Sequence, residues 1–132
     1  MTASDTEFIR AAMPLCASLD VEADAVSPEC VVLRLAWKPE LCTSGGLLHG
    51  GVLMALADSA GGACAFVNLP DGATRTATIE SKTNFLGAVR NGTVIAAATP
   101  LHVGSTTIVI ETEVRHGDRL VAKVTQTQAV LR

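Results

Sequence analysis

One segment constrains this chain more than any other. From Gly50 to Val67 it runs 18 residues with a single charge, Asp58. That is close to the ~20 residues a bilayer-spanning helix needs. However, the segment holds Asp58 and four glycines, Gly50, Gly51, Gly61 and Gly62, and no basic residue flanks it closely. It reads as a buried helix rather than a membrane span. A helix that is apolar nearly all round must be covered nearly all round.

The rest of the chain has to supply that cover. Ser4-Asp5-Thr6-Glu7 has the spacing of a capping box, so a short helix should begin there and stop near Pro14. Residues 31–37 read as a strand, with a weaker one around 18–26, and residues 38–49 as a loop. After the long helix, strands are expected over 76–86, 93–103, 106–115 and 119–131. On the first of these, Ala77, Ile79 and Phe85 should share a face. Asn91-Gly92 is a strong hairpin signal, with further turns at Gly104-Ser105 and at 116–118. Strands of about 10–12 residues exceed the usual five or six. Regular turn spacing implies an antiparallel meander. A long curved sheet wrapped around one central helix, in a single α+β domain over 1–132, meets both demands.

Composition narrows the function. The 132 residues are 48% hydrophobic and 17% charged, which rules out disorder and suggests that another subunit covers part of the surface. Ten basic and 13 acidic residues give a net charge of −3, so the footprint of a nucleic-acid binder is missing. Aromatics are 3% with no Tyr, which argues against a base-stacking platform. The first ten residues do not read as a signal peptide. Cys16, Cys30, Cys42 and Cys64 form no CxxC pair and read as reduced thiols in the cytoplasm, and neither a metal nor a cofactor is implied.

The chemistry concentrates on the long helix. An unpaired buried carboxylate costs several kcal/mol or stays protonated. Asp58 is therefore expected to be desolvated, as suits a general base or a carboxylate nucleophile. The competing reading is a carboxylate satisfied by Ser59 or a backbone amide for structural ends. His49-Gly50-Gly51 stands where the loop enters the helix, and a helix start has unpaired N–H groups and a positive dipole end. A carbonyl oxygen placed there would be polarised; alternatively, the glycines only permit the turn. Eight residues separate Gly50 from Asp58, roughly 12 Å along a straight helix. One carbonyl carbon cannot easily touch both in one chain, so the spacing favours a dimer with two shared sites. Thr78, on the next strand, could hydrogen-bond the carboxylate or a water, but Thr is also a favoured strand residue.

His49-Gly50-Gly51 followed by Leu56-Ala57-Asp58 resembles the hotdog-fold acyl-CoA thioesterases, most closely the phenylacetate-pathway (PaaI-like) branch. The likeness extends through 76–80, Asn84-Phe85-Leu86 and the turn at 101–104, and covers about residues 30–130. It implies the hotdog fold and homo-oligomers, a dimer or a dimer of dimers. Gly50 would donate its N–H to the thioester carbonyl, beside Gly51. Asp58 of the other subunit would attack or activate water, Thr78 would assist, and His49 would lie near the leaving thiol. CoA would lie over Phe85 to Arg90 and the turn holding His102, Gly104 and Ser105. Arg90, always charged, is the candidate phosphate contact.

Two positions depart from the family pattern. Thr43 stands where many relatives carry Asn or Gln, and Ser105 where a basic residue is common. They are the warrant for an alternative, an acyl-CoA-binding hotdog protein with little hydrolysis. A hydratase or dehydratase ranks third, because His49 lacks a partner acid in the sequence.

Overall fold

The computed structural model describes residues 3–132, with side chains from residue 5 onward. Helix α1 (Ala3–Ala12) and the short α2 (Pro14–Ser18) lead into strands β1 (Glu22–Val26) and β2 (Val31–Ala36). Two 3-10 turns, Pro39–Leu41 and Ser44–Gly46, carry the chain to the long helix α3 (Gly50–Phe66). Strands β3 (Arg75–Phe85), β4 (Thr93–Val103), β5 (Thr107–His116) and β6 (Arg119–Leu131) complete the order. All pairings are antiparallel, in the sheet order β1-β2-β4-β5-β6-β3. With α3 packed on its inner face, this is the expected α+β hotdog architecture. No helix among the described residues is long and apolar enough to cross a membrane.

The inner face follows period-two alternation. Val31, Leu33 and Leu35 of β2, Val94, Ala96 and Ala98 of β4, and Ile108, Ile110 and Val114 of β5 are fully or almost fully buried. Against them α3 presents Leu53, Leu56, Ala57, Ala60, Ala63 and Cys64, which recur every three to four residues. Mostly small helix residues let the helix lie close to the sheet.

Four expectations are corrected. Helix α1 is already formed at Ser4, so Ser4 does not precede the helix as a cap; its side chain lies outside the described residues. Asn91-Gly92 does not close a hairpin: β3 pairs with β6 at the sheet edge, and β4 lies between β2 and β5. Only β4-β5-β6 is a meander. The 86–92 segment instead crosses the end of the sheet. Leu86 and Gly87 donate to Val121 O (2.8 and 3.2 Å), and Val89 O accepts from Leu48 N (2.9 Å). An Asn-Gly pair marks a reversal of direction but does not choose the neighbouring strand.

The third correction concerns β3. Its register against β6 slips between Thr78 and Glu80, so Ile79 is the extra residue of a β-bulge. Thr78 pairs with Gln128, Ser81 with Gln126, Thr83 with Val124 and Phe85 with Ala122. These β6 partners face α3, so Thr78 and Phe85 share the inner face, while Ile79 is 60% exposed. The expected face of Ala77, Ile79 and Phe85 assumed an unbroken alternation. Fourth, α3 is not covered nearly all round. Gly51, Met54, Asp58 and Phe66 form an exposed stripe down one side.

All four cysteines are free thiols. Burial pushes the Cys64 thiol up to about 11, and the neighbouring Cys30 adds to the shift. A raised thiol stays protonated, so at pH 8 the reactive thiolate is roughly a thousandth of the population. Cys64 is therefore expected to resist a thiol-reactive dye in the folded protein at pH 8 and to react once urea unfolds it. Fast native labelling of Cys64 would contradict this packing.

Candidate active site

Asp58 lies in the eighth following position after Gly50, on the exposed stripe of α3. In this chain it is exposed, so the expected desolvated carboxylate is not what the single chain builds. What it builds instead is a hydrogen-bonded cradle. Thr78 Oγ1 donates to Asp58 Oδ1 at 3.0 Å, and Gln126 Nε2 donates to the same oxygen at 3.1 Å. Gln128 Nε2 donates to Thr78 Oγ1 at 2.6 Å and faces Gln126 Oε1 at 3.4 Å, which closes a ring. Gln126 and Gln128 are 0% and 1% exposed. Thr78 is thus a partner of the carboxylate, not only a strand former.

The two glutamines were not anticipated. The signal was available in the alternation of β6, where Ala122, Val124, Gln126, Gln128 and Val130 occupy one face. Two carboxamides on an otherwise apolar face need partners. Gln126 also explains Gly61. A Cβ on Gly61 would sit 2.0 Å from Gln126 Oε1, so only glycine lets the carboxamide lie against α3.

The N-terminal end of α3 is built differently. His49 is the N-cap, and its Nδ1 accepts from Gly51 N at 2.8 Å. Val52 and Leu53 donate to His49 O at 2.9 and 3.3 Å. Among the described residues no acceptor takes the Gly50 N–H, which is left as an open donor at the positive end of the helix. The Phe85 ring packs over Gly50, 3.1 Å from where a Cβ would stand.

Each of these two places opens into its own cavity. One of about 300 Å³ is lined by Asp58, Thr76, Thr78, Gln128, Phe8 and Phe66. Another of about 310 Å³ is lined by Gly50, Thr43, Leu48, Phe85 and Val89, among others. The structure therefore gathers Thr43, Gly50 and Phe85 at one place, with His49 and Gly51 beside them at the helix start. Asp58 and Thr78 meet at the other. Arg90 is exposed on the crossing segment beside the Gly50 cavity. His102, Gly104 and Ser105 are not near it. Phe85 pairs through Ala122 to Val114, whereas the 104–106 turn precedes Thr107 at the far end of β5. Seven residues of strand separate those ends, roughly 23 Å.

The thioesterase-superfamily family model matches residues 45–123, more than half of the chain. A Saccharolobus solfataricus protein named as a candidate esterase is 32% identical over 127 residues, spanning 96% of this chain and 89% of its own. A thioesterase family protein from Silicibacter pomeroyi superposes with a TM-score of 0.86 at 28% identity, covering 98% of this chain and 97% of that one. A thioesterase from Haemophilus influenzae shares the fold, with a TM-score of 0.89 at 24% identity, covering 100% and 92%. The chain belongs to the thioesterase superfamily. Its class is that of the thioester hydrolases.

The close approach at Gly61 makes a packing prediction. Gly61→Ala must push Gln126 out of its buried seat, which should cost about 1–3 kcal/mol. Urea unfolding would measure this, and an unchanged midpoint would mean that the carboxamide is not held there.

Proposed function

We propose that this protein is an acyl-CoA thioesterase of the PaaI-like branch. It cleaves an aryl- or medium-chain acyl-CoA to the free acid and CoA. The observation that carries this reading is the division of chemistry along α3. An open N–H at Gly50 and a carboxylate at Asp58 lie roughly 12 Å apart on one helix, each in its own cavity. A second copy running antiparallel would bring Asp58 of one chain to Gly50 of the other.

Two features support that second copy. Strand β3 is an 11-residue sheet edge with free backbone groups and an outward Ile79. The exposed stripe of α3 carries Met54 and Phe66, 41% and 46% exposed. A two-fold contact over both would complete two sites and cover the stripe. It would also exclude water around Asp58. A further pairing of dimers would give His102, Gly104 and Ser105 a route to the CoA lying along Phe85 to Arg90, with Arg90 on a phosphate. The protein would act as a single domain in the reducing cytoplasm, where its thiols stay free.

In the shared site the Gly50 N–H takes the developing charge on the thioester oxygen. Asp58 either attacks the carbonyl carbon or removes a proton from the attacking water. Both routes end with water oxygen on the acyl carbon, the C–S bond broken and a proton on sulfur. Because His49 Nδ1 accepts from Gly51, the neutral ring carries its proton on Nε2, where it can approach the leaving thiol.

Thiol release from a panel of aryl and alkyl acyl-CoA thioesters tests the activity. Asp58→Asn should lower kcat by about 100-fold or more. Turnover retained by that variant would remove the mechanism, and CoA binding without thiol release would favour the binding-protein reading. Gly50→Pro deletes the N–H at a helix position that accepts proline, after a His49 already in an extended conformation (φ −62°, ψ 133°). Mixed with Asp58→Ala subunits, it should recover about a quarter of wild-type activity, since half of the random dimers hold one intact site. No recovery after proven exchange would refute sites built across chains.

A further inference from the structure

The hydrogen-bond ring around Asp58 has a direction. Gln128 Nε2 holds two hydrogens, and its two neighbours in the ring, Thr78 Oγ1 and Gln126 Oε1, are both acceptors for it. With an incoming hydrogen from Gln128, Thr78 turns its own single hydrogen to Asp58 Oδ1. Gln126, whose Oε1 faces Gln128, presents Nε2 to that same oxygen. Reversing the Gln126 carboxamide would set its oxygen against the carboxylate and its NH2 against the NH2 of Gln128. The orientation of the ring is thus decided by which of its atoms can donate and which only accept.

The ring ends on one oxygen. Both donors reach Oδ1, and no described residue donates to Oδ2. The supports are also held firmly in place. Both glutamines are buried on the longest strand, the Gln126 carboxamide is seated against Gly61, and the Ile79 bulge lies next to Thr78. Apolar side chains of similar size at 126 and 128 would match their neighbours Val124 and Val130. We propose that Gln126 and Gln128 are positioning residues which pin Asp58 through Oδ1 and leave Oδ2 as the oxygen that meets substrate or water. The proposal rests on Asp58 being the reacting carboxylate.

Gln126→Met keeps length and removes the donor. It should lower kcat by about 10- to 100-fold, the effect of losing one hydrogen bond to a charged group. KM should stay within about twofold, because substrate contacts are untouched. Gln128→Met should lower kcat less, since Thr78 keeps its hydroxyl and loses only the group that directs it. A Gln126→Met enzyme with wild-type kcat overturns the proposal. Asp58→Asn, assayed alongside, separates the two levels: if it turns over like wild type, the Asp58 reading fails, whereas loss in Asp58→Asn with full activity in Gln126→Met sinks only the positioning role. A second readout needs neither turnover nor a core substitution. The side-chain NH2 resonances of Gln126, followed by 15N NMR, should move on Asp58→Ala, at an exposed position. Unmoved resonances would show that the carboxamide does not hold the carboxylate.

Discussion

The architecture turns on covering one helix. α3 has 17 residues and a single charge, and a five- or six-residue strand could not span it. Long strands are therefore required, and β3 to β6 run from 10 to 13 residues. The helix meets the sheet mainly through small residues, so the two backbones approach closely. At Gly61 the approach is so close that a side chain of β6 occupies the space where a Cβ would stand. Hydrophobic burial sets the distance, and that distance brings Gln126 within reach of Asp58.

A single inserted residue organises the chemistry around that contact. Thr78 and Phe85 are seven positions apart, so an unbroken strand would point them to opposite faces. The bulge at Ile79 changes the parity between them. Thr78 can then hold Asp58, and Phe85 can pack over Gly50, on the same side of the same strand. Bulges commonly re-aim side chains beside active sites. Here the bulge ties the start and the middle of α3 to one strand, and it turns Ile79 outward at the sheet edge.

The division of the site follows from helix geometry. A rigid helix fixes the separation of its N-terminal amide from a carboxylate two turns along. Neither bending nor side-chain length closes that gap within one chain. Two cavities, one beside Gly50 and one beside Asp58, are the outcome. The uncovered stripe of α3 and the open edge of β3 lie where a symmetric partner would resolve both deficits at once. In this chain Asp58 draws its support from three neutral side chains rather than from a cation.

Much of this was legible in the residues themselves. The length and apolar character of 50–67 demand a wrapped helix, and the turn residues place most strand boundaries. The eight-residue spacing of Gly50 and Asp58 on one helix can be read without any coordinates. These are local or one-dimensional properties, and periodicity records them. Strand neighbours were not legible, because Asn91-Gly92 specifies a reversal and not a partner. The bulge at Ile79 was hidden, since a one-residue slip exists only relative to the pairing strand. Gln126 and Gln128 lie 68 and 70 positions beyond Asp58, and nothing in their own segment names the carboxylate they face. Only tertiary packing brings those groups together, because hydrogen bonds act over about 3 Å of space and not along the chain.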